Sequence, residues 1–317
     1  MPPPQPAVPA ARPPPEETWP EDVSEEKPKD EPVATAIAAA RAEAIMTEPT
    51  PPAGFVLARS GSAEIDPQAL QDALEVASRA CDRAREAILP RFRRVTVETK
   101  EDGSPVTAAD REAEQAIRAV IEEAFPEDAI LGEEFGATQS TSRRRWIVDP
   151  IDGTIAFARG IPLFTTLIAL TVDDEPVMGM IDLPAANDRI GGVRGGGVWR
   201  GGERLSVSKI EHLEDALVCH GDLFCFELAG LRSVYDRMAR TIPKLRGYTD
   251  AFGHLLTLTG AADAMVDCDL NPWDAAVTRV LTGEAGGVCW ARERADGAKI
   301  DLVFGNEAIV QAIGKLF

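Results

Sequence analysis

From residue 66 onward the spacing of apolar positions changes several times along the chain, and each change marks an element. Asp66-Pro67 has the form of a helix N-cap followed by proline in the first turn. Leu70, Ala73, Leu74, Ala77, Ala80, Cys81, Ala84 and Ile88 then recur at three- and four-residue intervals. The spacing predicts a helix over 67–89, ahead of Pro90. Residues 95–99 alternate like a strand, and 100–105 are turn-rich. A second helix is predicted over 107–125, ended by Pro126. Residues 129–132 read as a strand carrying Glu133 and Glu134 at its end, and 139–145 as a polar connection. Trp146, Ile147 and Val148 form the end of a buried strand, which Pro150 is expected to stop because it has no N–H for the ladder.

Further on, a short helix over 154–159 with Gly160 as its stop precedes long apolar strands over 164–172 and 177–183. Shorter strands are expected at 189–193, 198–199 and 204–207. Gly195-Gly196-Gly197 and Gly201-Gly202 between them read as hairpin turns rather than a nucleotide loop, since no strand leads directly into a helix there. Then follow a strand at 217–220, an amphipathic helix over 226–240, an extended piece at 245–248, a helix over 252–260 and a strand at 264–267. Pro272 stands at the first position of a helix over 272–284, stopped by Gly286-Gly287. No element is assigned beyond Gly287.

Several acids stand where chemistry could use them. Asp149 and Asp152 project from the tip of the Trp146 strand, and two acids held on one turn repel unless a proton or a hard divalent cation lies between them. The other reading is a plain Asx turn. Gly153 and Thr154 follow, and a helix starting there would offer free N–H groups to an anion. Thr107 and Asp110 have capping-box spacing, and Asp274 lies in the first turn of its helix, where a carboxylate suits the helix dipole.

Composition narrows the function. Fourteen of the 24 prolines lie in the first 53 residues, interleaved with acids, so residues 1–64 are expected to be a disordered tail with at most a weak helix over 34–46. The tail is acid-rich, unlike a transit peptide, and reads as a solvated extension, an upstream start, or a partner-docking segment. No apolar run reaches the roughly 18 residues needed to span a bilayer, so no membrane partner is expected. Five scattered cysteines without a C-x-x-C pair argue against a zinc site and fit a reducing cytoplasm. The net charge of −19 makes nucleic acid an improbable partner, because there is no basic stripe to neutralise phosphates. A small phosphorylated substrate stays open, since bound cations would invert the local field.

Four stretches taken together change the weight of the individual alternatives. Thr107-Ala108-Ala109-Asp110, Leu131-Gly132-Glu133-Glu134, Asp149-Pro150-Ile151-Asp152-Gly153-Thr154 and Asn271-Pro272-Trp273-Asp274 occur in the order found in the inositol monophosphatase-like family, and the chain resembles that family from about residue 66 to 317. The resemblance implies an α/β fold of α+β type, a layered αβαβα sandwich, over 65–317, with a metal-binding half at about 65–210 and a second half at about 211–317. It implies a Mg²⁺-dependent phosphomonoesterase in which Glu133, Asp149, Asp152, Asp274 and the Ile151 carbonyl hold two or three Mg²⁺ ions. Gly153 and Thr154 would grip phosphate. Thr154 paired with Asp110 would orient and deprotonate the attacking water, with Glu134 and Lys100 completing the catalytic set and no covalent nucleophile required. Relatives are commonly homodimers.

Substrate choice rests on Gly247-Tyr248-Thr249-Asp250, which aligns with the loop that contacts the organic part of the substrate in this family. A carboxylate at Asp250 resembles the histidinol-phosphate phosphatase branch and suits an ammonium or imidazolium group; the alternative is an N-cap. Asp267 aligns with a substrate-binding Glu of the family and would be a second acidic contact, although its side chain is shorter. Asp182-Leu183-Pro184 and Asp188-Arg189-Ile190-Gly191 also look like that branch. Histidinol phosphate is therefore the expected substrate, with inositol 1-phosphate as the alternative and a non-catalytic binding protein as a remote one.

Overall fold

The computed structural model describes residues 50–58, 65–100, 103, 105–294 and 298–317. The expected helix at 34–46, and the tail over 1–49 and 59–64, lie outside the described residues. In chain order the elements are β1 (Val56–Leu57), α1 (Pro67–Ile88), β2 (Glu98–Thr99), β3 (Pro105–Val106), α2 (Ala108–Ala124), β4 (Ala129–Gly132), β5 (Gly136–Ala137) and β6 (Arg144–Asp152). Next come α3 (Thr154–Ala158), β7 (Thr165–Val172), β8 (Glu175–Leu183), β9 (Asp188–Val193), β10 (Gly197–Arg200), β11 (Glu203–Leu205), β12 (Leu217–His220), α4 (Leu223–Leu228) and α5 (Arg232–Thr241). The chain ends with β13 (Lys244–Arg246), α6 (Asp250–Leu258), β14 (Ala264–Leu270), α7 (Pro272–Glu284), β15 (Val288–Glu293), β16 (Ile300–Gly305) and α8 (Glu307–Gly314).

Eight strands form one sheet in the order β11-β10-β9-β8-β7-β6-β4-β5, antiparallel except where β4 runs parallel to β6. Six form a second, in the order β1-β15-β16-β14-β12-β13. Period-2 alternation decides what covers each face. Trp146, Val148, Ile168 and Leu170 pack against the apolar stripes of α1 and α2, including Leu70, Ala77, Ile117 and Ile121. Their neighbours Ile147, Leu167 and Ala169 point the other way, onto Leu255 and Leu258 of α6 and Val277, Val280 and Leu281 of α7. The second sheet repeats the scheme: Met265 and Phe304 cluster with Ala275 on the inner side, while Val266 and Val303 meet Phe226, Met238 and Ile309 of the outer helices. The layers are thus helix, sheet, helix, sheet, helix, the expected αβαβα sandwich. Close seating of α7 on β8 depends on Gly179, where a Cβ would stand 3.1 Å from Val277 Cγ1 and Val280 Cγ1.

Three expectations are corrected. Pro150 does not end its strand: β6 continues to Asp152 through a register shift between Asp149 and Asp152, and at such an irregularity a residue without N–H costs no ladder bond. The expected helix over 226–240 is two helices, α4 and α5, separated at Gly230, whose φ of 68° lies in the left-handed region. Only Glu98–Thr99 of the expected strand at 95–99 is paired. The elements after Gly287 include two six-residue strands of the second sheet, β15 and β16, and the terminal helix.

Candidate active site

The register of β4 on β6 sets Gly132 opposite Val148, and the N–H of Glu133 donates to the Val148 carbonyl at 3.2 Å, so Glu133 emerges beside Asp149. The irregularity that follows turns the chain so that Asp149 and Asp152 both face the gap where α6 and α7 begin. Asp149 Oδ1 accepts the Ile151 N–H at 3.0 Å. Asp152 Oδ2 accepts the Ala251 N–H at 2.6 Å and the Thr165 hydroxyl at 3.1 Å, and so supplies to α6 the side-chain cap that Thr249 does not give. Asp274, third residue of α7, accepts the Asn271 N–H at 2.8 Å in a capping box. One carboxylate oxygen each from Asp149, Asp152 and Asp274 lies within 4.8 Å of the others.

These partners are N–H and hydroxyl groups, while the charges that act most on Asp149 and Asp152 are like charges. Burial, then Glu133, Asp152 and Asp274, hold the Asp149 carboxyl well above the ordinary carboxylate range. Burial, then Asp250 and Asp274, do the same to Asp152. Asp274 is pushed up to about 7 by burial, opposed by its Asn271 N–H bond and reinforced by Glu133. Such a cluster favours protons or a hard cation, and a donor set made only of oxygen suits Mg²⁺ or a similar ion better than zinc.

Asp110 caps α2 and also meets Thr154, which lines the cleft over these acids. Its Oδ2 accepts the Thr107 N–H at 2.8 Å and the Thr107 hydroxyl at 2.6 Å, while Oδ1 lies 3.2 Å from the Thr154 hydroxyl, so the same carboxylate that caps the helix also meets Thr154. Thr154 Oγ1 is also 3.0 Å from the Ile151 carbonyl. Burial raises the Asp110 carboxyl. Lys100 is not a solvated loop charge: its Nζ lies 2.7 Å from Glu133 Oε1 and 2.6 Å from Glu134 Oε1. Burial pushes Glu134 up to about 7 against the opposing pull of Lys100.

The sequence reading missed Glu114. Fully buried on α2 and paired with Arg118 at 2.8 Å, it accepts the N–H groups of Glu134 at 2.7 Å and Phe135 at 3.3 Å, and so fixes the turn that carries Glu133. A Cβ at Gly132 would meet Glu114 Oε1 at 2.0 Å, which explains the glycine before Glu133. The available signal was an acid inside the apolar stripe of Ala113, Ile117 and Ile121.

A cleft of about 370 Å³ opens over the acids, lined by Glu133, Asp149, Asp152, Gly153, Thr154 and Asp274 among others. Asp250 lines it too. The N-cap alternative for Asp250 is wrong, because Thr249 holds that position and Asp250 is the first helical residue, with φ 58°. A methyl on Gly153 would come within 3.3 Å of Asp250 Oδ2, so that carboxylate stands directly against the Gly153 backbone. Burial, then Asp267, push Asp250 up to about 6. Asp267 lines an adjoining pocket of about 140 Å³ shared with Asp152, Asp250 and Asp274. Asp222, which no sequence pattern marked, borders both spaces. Asp182 and Arg189 line neither; they pair across β8 and β9.

A sequence model of the inositol monophosphatase family matches residues 69–314. The chain belongs to the inositol monophosphatase family. Members of this family are generally metal-dependent, and the acidic cluster of this inositol monophosphatase-family chain provides oxygen donors of the required kind. Among its relatives, a histidinol-phosphatase of Chlorobaculum parvum is 38% identical over 70% of this chain and 85% of its own length. A histidinol-phosphatase of Mycobacterium tuberculosis is 36% identical over 68% of this chain and 86% of its own length. Among solved structures, the inositol monophosphatase of Thermotoga maritima superposes with a TM-score of 0.70 at 29% identity, covering 77% of this chain and 96% of that one. No helix among the described residues is long and apolar enough to cross a membrane.

Proposed function

We propose that this family member is a Mg²⁺-dependent phosphomonoesterase acting on histidinol phosphate, releasing histidinol and inorganic phosphate. The observation that carries the choice of substrate is the Asp250 carboxylate standing against Gly153, beside the backbone expected to hold phosphate. An ammonium or imidazolium group finds a charge partner there, and a cyclitol hydroxyl does not need one. The similarity to histidinol-phosphatases over most of the chain supports the same reading.

Glu133, Asp149, Asp152, Asp274 and the Ile151 carbonyl would hold the ions, two or three in number, and the mutual repulsion of the buried acids fits that role. When bound, Mg²⁺ supplies Lewis-acid activation and charge neutralisation for phosphoryl transfer to water. The chain's own groups then orient and move protons. The Thr154 hydroxyl has one hydrogen and two acceptors in reach; given to Asp110, it leaves the oxygen's lone pairs open to the cleft, ready to receive a proton from the attacking water. The raised Asp110 carboxyl is suited to take that proton onward. The Gly153 and Thr154 N–H groups grip the phosphate, and Lys100 holds Glu133 and Glu134 in place. No group in this arrangement needs to form a covalent intermediate. Action in the cytoplasm and a homodimeric state are part of the proposal.

The test is kcat/KM with Mg²⁺ on histidinol phosphate and inositol 1-phosphate, for the wild type and Asp250→Ala. A preference for histidinol phosphate of roughly a hundredfold, largely erased in the variant, is expected. Equal rates on both substrates in the wild type would defeat the argument from amine recognition.

A further inference from the structure

We propose that His254 is a positioning residue that locks the Asp267 carboxylate into the wall of the substrate pocket and ties together the three elements that carry Asp250, Asp267 and Asp274. The inference rests on the substrate reading above, since it takes the pocket beside Asp250 to receive the organic end of the substrate.

His254 is 1% exposed, and neither the motifs nor the proton path just described uses it. It follows Asp250 by four residues on α6, so both side chains leave the same face of that helix, and both border the 140 Å³ pocket. Its Nε2 lies 2.9 Å from Asp267 Oδ2 on β14, and its Nδ1 lies 2.6 Å from the Thr278 hydroxyl on α7. Thr278 in turn follows Asp274 by four residues. One imidazole therefore bonds to the strand bearing Asp267 and to the helix bearing Asp274 while riding on the helix bearing Asp250. Its ring is further fixed edge-on to Phe304, with centroids 4.9 Å apart.

The other end of the Asp267 carboxylate is equally determined. Oδ1 accepts the Cys268 N–H at 2.9 Å, and it lies so close to the Gly221 backbone that a Cβ there would come within 1.9 Å of it. A carboxylate only accepts hydrogen bonds, so Nε2 must carry a hydrogen, whereas Nδ1 meets a hydroxyl that can give or take one. The aspartate, one methylene shorter than a glutamate, is drawn back toward His254. The space in front of it forms the pocket, and each oxygen keeps a lone pair for a donor on a ligand.

Two substitutions separate positioning from packing. In His254→Gln the amide nitrogen reaches about where Nε2 stands and can still donate to Asp267; in His254→Asn it reaches only to about the Nδ1 position, toward Thr278. Steady-state kinetics on histidinol phosphate and on methyl phosphate, whose organic part is too small to reach Asp267, provide the readout. For His254→Asn, KM for histidinol phosphate is expected to rise about tenfold or more while kcat falls less than about threefold, with KM for methyl phosphate moving less than about twofold. His254→Gln is expected to return KM to within about threefold of the wild type. Thr278→Val, which keeps the shape and removes the hydroxyl, should give a smaller rise on the same substrate and provides the reading if His254→Asn does not fold. Equal losses in the Gln and Asn variants, or equal shifts on both substrates, would reduce His254 to a packing residue. If the wild type prefers inositol 1-phosphate, the substrate reading fails; the Gln/Asn contrast is then read on that substrate, and its presence or absence decides the positioning role.

Discussion

The eight-stranded sheet carries two sets of buried acids that have opposite surroundings. Asp182 on β8 is fully buried, and guanidinium groups answer both of its oxygens: Arg85 Nη2 and Arg189 Nε reach Oδ1 at 2.7 and 2.6 Å, and Arg85 Nε reaches Oδ2 at 2.7 Å. Asp149 and Asp152 on β6 are instead surrounded by Asp274, Glu133 and Asp250, and their donors among the described residues are neutral. A buried charge with its countercharge in place is complete and serves the fold. A buried group of like charges is incomplete until something arrives, and that incompleteness marks a candidate binding site.

The largest expected effect breaks the two sets apart. Asp149→Asn should cost at least about a thousandfold in kcat, roughly 4 kcal/mol of transition-state stabilisation, while the metal-free protein keeps or gains thermal stability because one repelling charge is gone. Asp182→Asn should do the reverse. It leaves two arginines without their full partner, costs about 3–5 kcal/mol of stability, and lowers activity only in proportion to the folded fraction. Thermal unfolding and kcat measured on both variants decide the matter; a larger stability loss in Asp149→Asn than in Asp182→Asn would invert the assignment.

The next effect comes from pH. Carboxyls whose folded-state pKa is raised keep protons that the unfolded chain has already lost above about pH 4. The stability they contribute is fully present below that value and disappears as pH rises through the raised values, about 7 for Asp274 and Glu134. Between pH 5 and 8 the chelator-treated protein should therefore lose Tm. Millimolar Mg²⁺, which needs the deprotonated ligands, should restore roughly 5 °C at pH 8 and much less at pH 5. A chelated protein whose Tm is flat or rises over this range would mean that the cluster is not the strained one described.

The cluster was legible in the sequence because its motifs are local: each places one or two acids at the end of a strand or in the first turn of a helix, and Asp149, Asp152 and Asp274 lie together, as the family resemblance implied. What stayed hidden depends on residues far apart in the chain. Glu114 holds the Glu134 N–H across 20 residues, and His254 meets Asp267 and Thr278 from another element, and the partners in such pairings cannot be read from local spacing. Pro150 was misread for the opposite reason. The rule against proline in a strand is sound for a regular ladder, and here the ladder is irregular at that residue. Asp182 and Arg189, in segments that resemble the histidinol-phosphate branch, belong to the charge-complete set.

The smallest effect tests whether capping alone separates structural acids from functional ones. Asp66 accepts the Gln68 N–H at 3.0 Å at the start of α1, as Asp110 and Asp274 accept N–H groups at the starts of their own helices. Their places relative to the cleft differ: Asp66 does not line it, Asp274 borders it, and Asp110 touches Thr154. Asp66→Ala should therefore remove about 1 kcal/mol, a Tm loss of roughly 2–4 °C, and leave kcat and KM as they were. A change in kcat/KM beyond about twofold would show that the first helix transmits to the site and that the division between caps that only cap and caps that also serve chemistry is drawn in the wrong place.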